Sequence, residues 1–269
     1  MKLDACMWAK NGAAYLSSVL QRFDSVIPQE VLGQRIFVDD HSEDDTAQMA
    51  RDFNWAVYEN PRGGIASGAN EALRHVETNF FISLEQDVLL SPSWWPRIFD
   101  RLSSDPNVAV CQGVRFFRDA TLRAVWEHET MEHLDELIED NVYRSIDNNI
   151  YRTKLIRAIG GFPERCPKCV DWWLKKAVES HGYKWIVDPT VVSDHLRSSI
   201  WGQASHQPIY DKLCTCRPVN ETTKYVLKLA AFSPISGVKL ALRYRAPKAA
   251  VLYPYFRLKY LQGHVSAHR

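Results

Sequence analysis

Two short apolar runs in this chain each end in a cluster of acids, and this pairing constrains the fold more than any other feature. Arg35 to Val38 leads into Asp39-Asp40, and Phe80 to Leu84 leads into Glu85-Gln86-Asp87. Both runs belong to an alternation of β-rich and helical segments. Leu3 to Trp8 reads as a first strand. Asn11 is placed to cap a helix whose apolar face is Leu16, Val19, Leu20 and Phe23. Ser42 and Asp45 fit a capping box opening a helix to about Phe53. Trp55 to Tyr58 reads as a strand and Ser67 to Val76 as a helix. Strands alternating with helices predict βαβ units and a largely parallel sheet.

The second half is less regular. Val108 to Phe117 and Lys184 to Val187 read as strands. Trp126 to Val142 reads as a long acidic helix, Thr153 to Ile159 as a short one stopped by Gly160-Gly161, and Val170 to Ser180 as another. Trp8, Trp94, Trp95, Trp172, Trp173 and Trp201 serve either the core or a sugar-lined site.

In open α/β sheets, ligands bind beyond the C-terminal ends of the strands. Acids there repel phosphates directly. They suit a site where one contacts a base or ribose and another holds a divalent cation that bridges diphosphate oxygens. Taken singly, each acidic pair serves equally well as a cap for the next helix.

Jointly, four segments carry a resemblance. Phe37-Val38-Asp39-Asp40-His41-Ser42-Glu43-Asp44-Asp45-Thr46 is similar to a V-D-D-x-S-x-D-x-T signature. Asn60-Pro61-Arg62-Gly63-Gly64, followed by Ala66 and Asn70, resembles N-x-G-x-x-x-A-x-N. Phe80 to Asp87 resembles a strand leading into a D-x-D metal motif. Tyr151-Arg152 through Gly160-Gly161-Phe162-Pro163-Glu164 resembles Y-R-x-x-x-x-x-x-G-G-F-x-E. In this order, over roughly residues 3 to 200, they resemble the inverting glycosyltransferase family 2. That resemblance implies a GT-A fold: a Rossmann-like α/β arrangement with a mixed, mostly parallel sheet flanked by helices.

The resemblance also implies roles. Asp39 matches the acid that binds the nucleobase. Trp8, Lys10, Asn60, Gly64, Glu85 and Gln86 fall on the nucleotide-sugar side, with Gln86 near the ribose; Arg197, which no motif matches, is placed by its position alone to meet a diphosphate. Asp87 matches the ligand of Mn²⁺ or Mg²⁺, and His195 a position supplying a further ligand in some members. Asp171 matches the catalytic base, while Gly161, Phe162, Glu164 and Trp172 fall on the acceptor side. An inverting transfer needs one base for the acceptor hydroxyl and charge stabilisation for the departing diphosphate. Apart from the resemblance, Asp171 reads as an acid complementing a helix dipole and His195 as a satisfied core histidine. Three positions depart from the pattern. Glu85 stands for the first Asp of the metal motif, Val170 for the Glu before the base, and Gly12 for a polar residue after Asn11.

Cys166, Cys169, Cys214 and Cys216 have ligand-like spacing for a structural Zn²⁺, with free thiols or a disulfide as the other readings. Neither a secretory signal nor 18 uninterrupted apolar residues is visible, so a cytoplasmic protein with reduced thiols is expected.

The net charge of +1 hides an asymmetry. Residues 222–269 carry nine Lys or Arg and no acid, leaving −8 on residues 1–221. The expected division is a catalytic domain over 1–221 and a basic, aromatic-rich amphipathic helical tail over 222–269. Short helices are expected at Lys224 to Leu229 and Lys239 to Arg245. Such a tail suits the anionic inner face of a membrane, and hence a lipid-linked or polysaccharide glycan acceptor. The bland reading is a solvated face packed on the acidic body; no nucleic-acid partner is expected. Competing functions on the same scaffold are a sugar nucleotidyltransferase and a non-catalytic carbohydrate- or membrane-binding protein. Ala9-Lys10-Asn11-Gly12 lacks the glycine-rich triphosphate loop that the first would need.

Overall fold

The structure, a computed structural model, describes residues 2–140, 143–165, 169–214 and 223–267. The chain forms two compact units. The first comprises Met1–Arg115 and Asp135–His195, and the second Phe116–Leu134 and Leu196–Arg269.

Among the described residues, eight strands form one sheet: β1 (Leu3–Ala9), β2 (Leu32–Asp39), β3 (Ala56–Glu59), β4 (Phe80–Leu84), β5 (Val88–Leu89), β6 (Val108–Phe117), β7 (Asn149–Arg152) and β8 (Lys184–His195). The order is β3-β2-β1-β4-β7-β6-β8-β5. The first four are parallel, as the βαβ pattern predicts. Beyond β4 the sheet turns antiparallel, at β4/β7, β6/β7 and β5/β8.

Helices α1 (Ala13–Val26), α2 (Thr46–Asp52), α3 (Ile65–His75) and α4 (Trp94–Ser104) follow strands in this unit. The residues that α1 buries are Leu16, Val19, Leu20 and Phe23, the face read from the 3.6-residue period. Helix α4 was not expected. It buries Trp94, Ile98 and Leu102, and the Trp94 indole donates to Asn148 O at 3.1 Å, so that ring belongs to the core. The core runs through Ile36, Val38, Phe81, Tyr151 and Phe162, with Phe81 stacked on Tyr151 at 4.8 Å.

The expected long acidic helix is broken. Short α5 (Ala120–Leu122) passes into one π-turn (Arg123–Glu127), then α6 (His128–Glu132) and α7 (Leu134–Glu139). The π-turn buries Glu127, whose carboxylate accepts from Phe117 N at 2.6 Å; packing therefore overrides the charge pattern. Helices α8 (Thr153–Ala158) and α9 (Val170–Ser180) lie near their expected positions.

The second unit adds α10 (Trp201–Cys214), α11 (Thr223–Arg243) and α12 (Ala249–Ala267). Two short tail helices were expected; two long ones form, with Pro234 and Pro254 inside them. The expected boundary at 222 also differs from the compact units. Phe117, Leu122 and Val125 share a core with Ile200, Leu240, Tyr253 and Phe256, so the tail does not pack as a separate piece. By length and composition α11 is apolar enough to cross a membrane, which a search for uninterrupted apolar residues overlooks.

One buried acid fixes the end of the sheet away from the strand-end acids. Asp4 is fully buried and accepts from Gln34 N and Glu77 N at 2.7 Å and from Thr78 N at 3.1 Å. Asp4→Ala strands three backbone donors. It is expected to lower unfolding stability by about 3 kcal/mol in a urea titration.

Candidate active site at the sheet edge

The parallel register brings the two acidic clusters to one edge. Ala9 pairs with Asp39 and Met7 with Leu84, so residues 10, 40 and 85 leave the sheet side by side. Chain leaving a sheet needs new partners for its backbone. Here the motif side chains provide them. Asn11 N donates to Ser42 Oγ at 2.9 Å, Gly12 N to Thr46 Oγ1 at 2.7 Å and Ala13 N to Asp44 Oδ2 at 3.2 Å. These amides at the start of α1 are therefore capped from the β2–α2 loop. The two local caps expected from sequence do not form. Asn11 Oδ1 accepts instead from Glu43 N at 2.8 Å, and Asp45 makes no side-chain cap bond to α2.

Gln86 makes a second tie. Its Oε1 accepts from Lys10 N at 2.8 Å and its Nε2 donates to Lys10 O at 2.9 Å. A Cβ at residue 12 would lie 2.8 Å from Gln86 Cδ, which explains why glycine follows Asn11. The Gln86 carboxamide is thus engaged with backbone rather than pointing free toward a ribose.

Asn60 is fully buried and organises the next loop. It donates to Asp40 Oδ1 at 2.7 Å and to Gly64 O at 2.9 Å, and accepts from Ser67 Oγ at 2.6 Å. Arg62 pairs with Glu164 at 2.5 and 3.1 Å. Asn70 grips the same segment, exchanging bonds with both backbone groups of Phe162 at 2.8 Å and donating to Glu164 at 2.9 Å. Gly161, at φ 78°, passes so close that a Cβ there would meet Asn70 Oδ1 at 2.6 Å. The Phe162 ring is buried against Trp8, Phe81 and Tyr151, so it reaches the site only through its backbone.

Asp39 Oδ2 accepts from Ser42 N at 3.1 Å, while its buried Oδ1 has no hydrogen-bond partner. Glu85, Asp87 and His195 place one donor atom each within 4.8 Å of one another. Asp87 and His195 are buried, with Asp87 Oδ2 at 3.4 Å from His195 Nε2. Two carboxylates and an imidazole crowded this closely fit a divalent cation such as Mn²⁺. Burial, then the negative charges of Asp147 and Asp87, push the Glu85 carboxyl well above its usual range, and Arg115 offsets this only in part. A bound cation would relieve that repulsion.

Arg115 and Asp147 were not expected here. Arg115 Nε lies 2.8 Å from Asp147 Oδ2 and 3.4 Å from Glu85 Oε2, and Nη1 lies 3.2 Å from His195 Nδ1. Burial opposes its charge, but Asp147 and Glu85 more than compensate. Since a guanidinium only donates, Nδ1 accepts, and a neutral His195 then carries its proton on Nε2. The two carboxylates are therefore the readier ligands. A lone arginine inside the buried run Val108–Phe117 was the sequence signal for this residue.

Asp171 lies in the first turn of α9, half-buried, and its Oδ1 accepts from Trp172 N at 2.8 Å. It is not part of the Glu85–Asp87–His195 group. Burial raises the Tyr151 phenol, and the charges of Asp147 and Asp171 add to that, so both acids lie within electrostatic reach of one buried ring. Lys176 sits over the Trp172 ring at 4.0 Å. Arg197 belongs to the second unit. Cys169 is disulfide-bonded, which corrects the expectation of a reduced thiol and removes its sulfur as a zinc ligand. The zinc assignments of Cys166 and Cys216, and of the Cys214 side chain, lie outside the described residues.

The sequence profile of glycosyl transferase family 2 matches residues 5–163. The chain belongs to glycosyl transferase family 2. No curated protein is significantly similar to it in sequence. Among solved structures it resembles the mannosyltransferase PcManGT from Pyrobaculum calidifontis, in complex with GDP-Man and Mn²⁺. That match has a TM-score of 0.65 at 15% identity over 99% of this chain and 87% of the other. It also resembles glucosyl-3-phosphoglycerate synthase from Mycobacterium tuberculosis, in complex with Mn²⁺, UDP-glucose and phosphoglyceric acid (TM-score 0.60, 14% identity, 80% and 79% coverage). A third is S. aureus TarS 1-349 with UDP-GlcNAc (TM-score 0.55, 14% identity, 99% and 90% coverage). The fold is GT-A, and the family makes the chain a glycosyltransferase.

The metal group gives a direct prediction. Asp87→Ala is expected to abolish the rise in melting temperature that Mn²⁺ gives the wild type. A carboxyl raised in the folded state stabilises the metal-free fold below its unfolded value. That contribution is lost as pH rises through the folded value. Metal must displace the same proton from Glu85, so the Mn²⁺-dependent shift is expected to grow with pH from the usual carboxylate value upward.

Proposed function

We propose that the chain transfers one sugar, with inversion, from a UDP- or GDP-linked donor to a hydroxyl of a lipid-linked or polysaccharide glycan. The observation that carries this reading is the cluster of Glu85, Asp87 and His195 at the edge where Asp39 keeps a buried carboxylate oxygen without a hydrogen-bond partner. A carboxylate oxygen of this kind accepts from the N–H of a nucleobase, and the neighbouring cluster suits the cation that accompanies a diphosphate. PcManGT with GDP-Man and Mn²⁺ supports the donor class.

In this reading Asp39 orients the base. Gln86 and the β2–α2 loop hold the Lys10–Asn11 backbone in place, just after Trp8, on the side assigned to the nucleotide. Glu85 and Asp87 would hold Mn²⁺ or Mg²⁺, with His195 joining them only where Arg115 gives up its Nδ1 and the proton moves there from Nε2; a bound ion would supply Lewis-acid stabilisation of the departing diphosphate. The Arg62–Glu164–Asn70 clamp fixes the Gly161-to-Glu164 segment on the acceptor side. Asp171 removes the proton from the acceptor hydroxyl as it attacks the anomeric carbon. Trp172, next to it, offers an edge for a sugar ring, with Lys176 over one face.

The enzyme is assigned to the cytoplasmic side, where the anionic leaflet attracts the acid-free tail.

Asp171→Asn is expected to keep donor- and metal-dependent thermal stabilisation and to lose about 1,000-fold in turnover. Transfer at the wild-type rate would remove Asp171 as the base. Release of pyrophosphate on incubation with a nucleoside triphosphate and a sugar phosphate would favour the nucleotidyltransferase instead.

The clamp predicts a pH effect. Hydrogen bonds from Arg62 and Asn70 hold the Glu164 carboxyl below its usual range. Its contribution to stability is complete above the unfolded value and is lost as pH falls through the lowered one. Glu164→Gln is expected to lower the melting temperature modestly at neutral pH and to flatten its fall over that acidic window, so that the two proteins converge in acid.

A further inference from the structure

Helices α11 and α12 each have a buried and an exposed side, and the exposed side is apolar. On α11, Val226, Ser233, Gly237 and Leu240 face inward. Phe232, Ile235 and Leu242 are 56, 59 and 77% exposed, and on α12 Val251 and Leu258 are 72 and 57% exposed. Ile235 and Leu242 are seven residues apart, as are Val251 and Leu258, so each pair lies on one face two turns apart. Exposed apolar side chains aligned along helix faces in this way suit an interaction surface.

The charges choose the partner. Arg243 and Arg257 are engaged by Glu132 at 2.8 Å and Glu129 at 3.5 Å. Among the described residues no carboxylate pairs with Lys224, Lys228, Lys239, Arg245 or Lys248. Lys228 and Lys239 lie at helical spacing from Phe232, Ile235 and Leu242, so cations are interleaved with the exposed apolar side chains. Long cationic side chains reach headgroup depth while apolar neighbours sink below it. The mode of contact also follows. Only 22% of the most apolar stretch of α11 is buried, yet Leu240 sits in a core with Ile200 and Phe117. A helix with one face fixed in its unit lies along a bilayer rather than across it.

We propose that the α11–α12 hairpin docks flat in the interface of an anionic lipid bilayer. Phe232, Ile235, Leu242, Val251 and Leu258 enter the acyl boundary, and Lys228, Lys239, Arg245 and Lys248 meet the headgroups. This deepens the membrane partner given above, and its test reads lipid binding rather than sugar transfer.

The full chain is sedimented with phosphatidylcholine vesicles containing about 30 mol% phosphatidylglycerol, a fraction chosen to give a clearly negative surface. Binding is expected, weakening as salt rises and largely absent on pure phosphatidylcholine. The double substitution Ile235→Asp and Leu242→Asp is expected to weaken binding by about tenfold or more. Its nucleotide- and Mn²⁺-dependent thermal shift should stay unchanged, which separates this docking from the transferase site. If the aspartates unfold the chain, replacing Lys228, Lys239, Arg245 and Lys248 by Gln decides the matter, with a similar loss expected. Equal binding to neutral vesicles, or wild-type binding by the glutamine variant, overturns the proposal. So does a wild-type dimer in light scattering that the aspartates make monomeric without any vesicle binding, since a second copy then covers the face.

Discussion

Backbone amides that leave a parallel sheet at the ends of adjacent strands have lost their ladder partners, and each must find an acceptor. In this chain the acceptors come from the neighbouring loop rather than from the helix being capped. Ser42, Asp44 and Thr46 satisfy Asn11, Gly12 and Ala13, while Gln86 satisfies both backbone groups of Lys10. The consequence is mechanical. The ends of β1, β2 and β4 are joined to one another, so the acids there hold fixed relative positions before any ligand arrives. Preorganisation of this kind is what electrostatic catalysis requires.

A division of labour among the polar residues follows. Asp4, Asn60, Asn70 and Gln86 are consumed by backbone groups and serve to hold loops. Asp39 and the Glu85–Asp87–His195 group keep capacity that the fold does not use in the same way. Arg115, held by Asp147, limits the repulsion among those acids and so makes their crowding tolerable. The same logic accounts for Gly12: any side chain there would collide with the Gln86 amide that braces the site.

The second unit follows different physics. Its core is built from segments far apart in sequence, Phe117 to Val125 and Ile200 to Phe256, which is why a break at residue 222 does not describe it. The acid-free composition of the tail gave the sign of its charge. Which cations are engaged internally, and which apolar side chains are left facing outward, depends on how α11 and α12 pack on Glu129, Glu132 and the π-turn.

What local periodicity encodes was legible without coordinates. The α1 face, the span of α9, strands β4 and β6, and the convergence of two acidic strand ends all follow from 2.0- and 3.6-residue repeats and from the βαβ rule. Helix α4, the break in the acidic helix, the true caps of α1 and the roles of Arg115 and Asp147 did not. Helix α4, the caps of α1 and the roles of Arg115 and Asp147 depend on partners 30 to 54 residues away, and the break in the acidic helix on a backbone amide 10 residues back. A side chain's hydrogen-bonding capacity is written in its identity. Whether that capacity is spent on backbone or left for a ligand is decided only when distant loops meet, because a polar group leaving water takes the partner that packing brings to it.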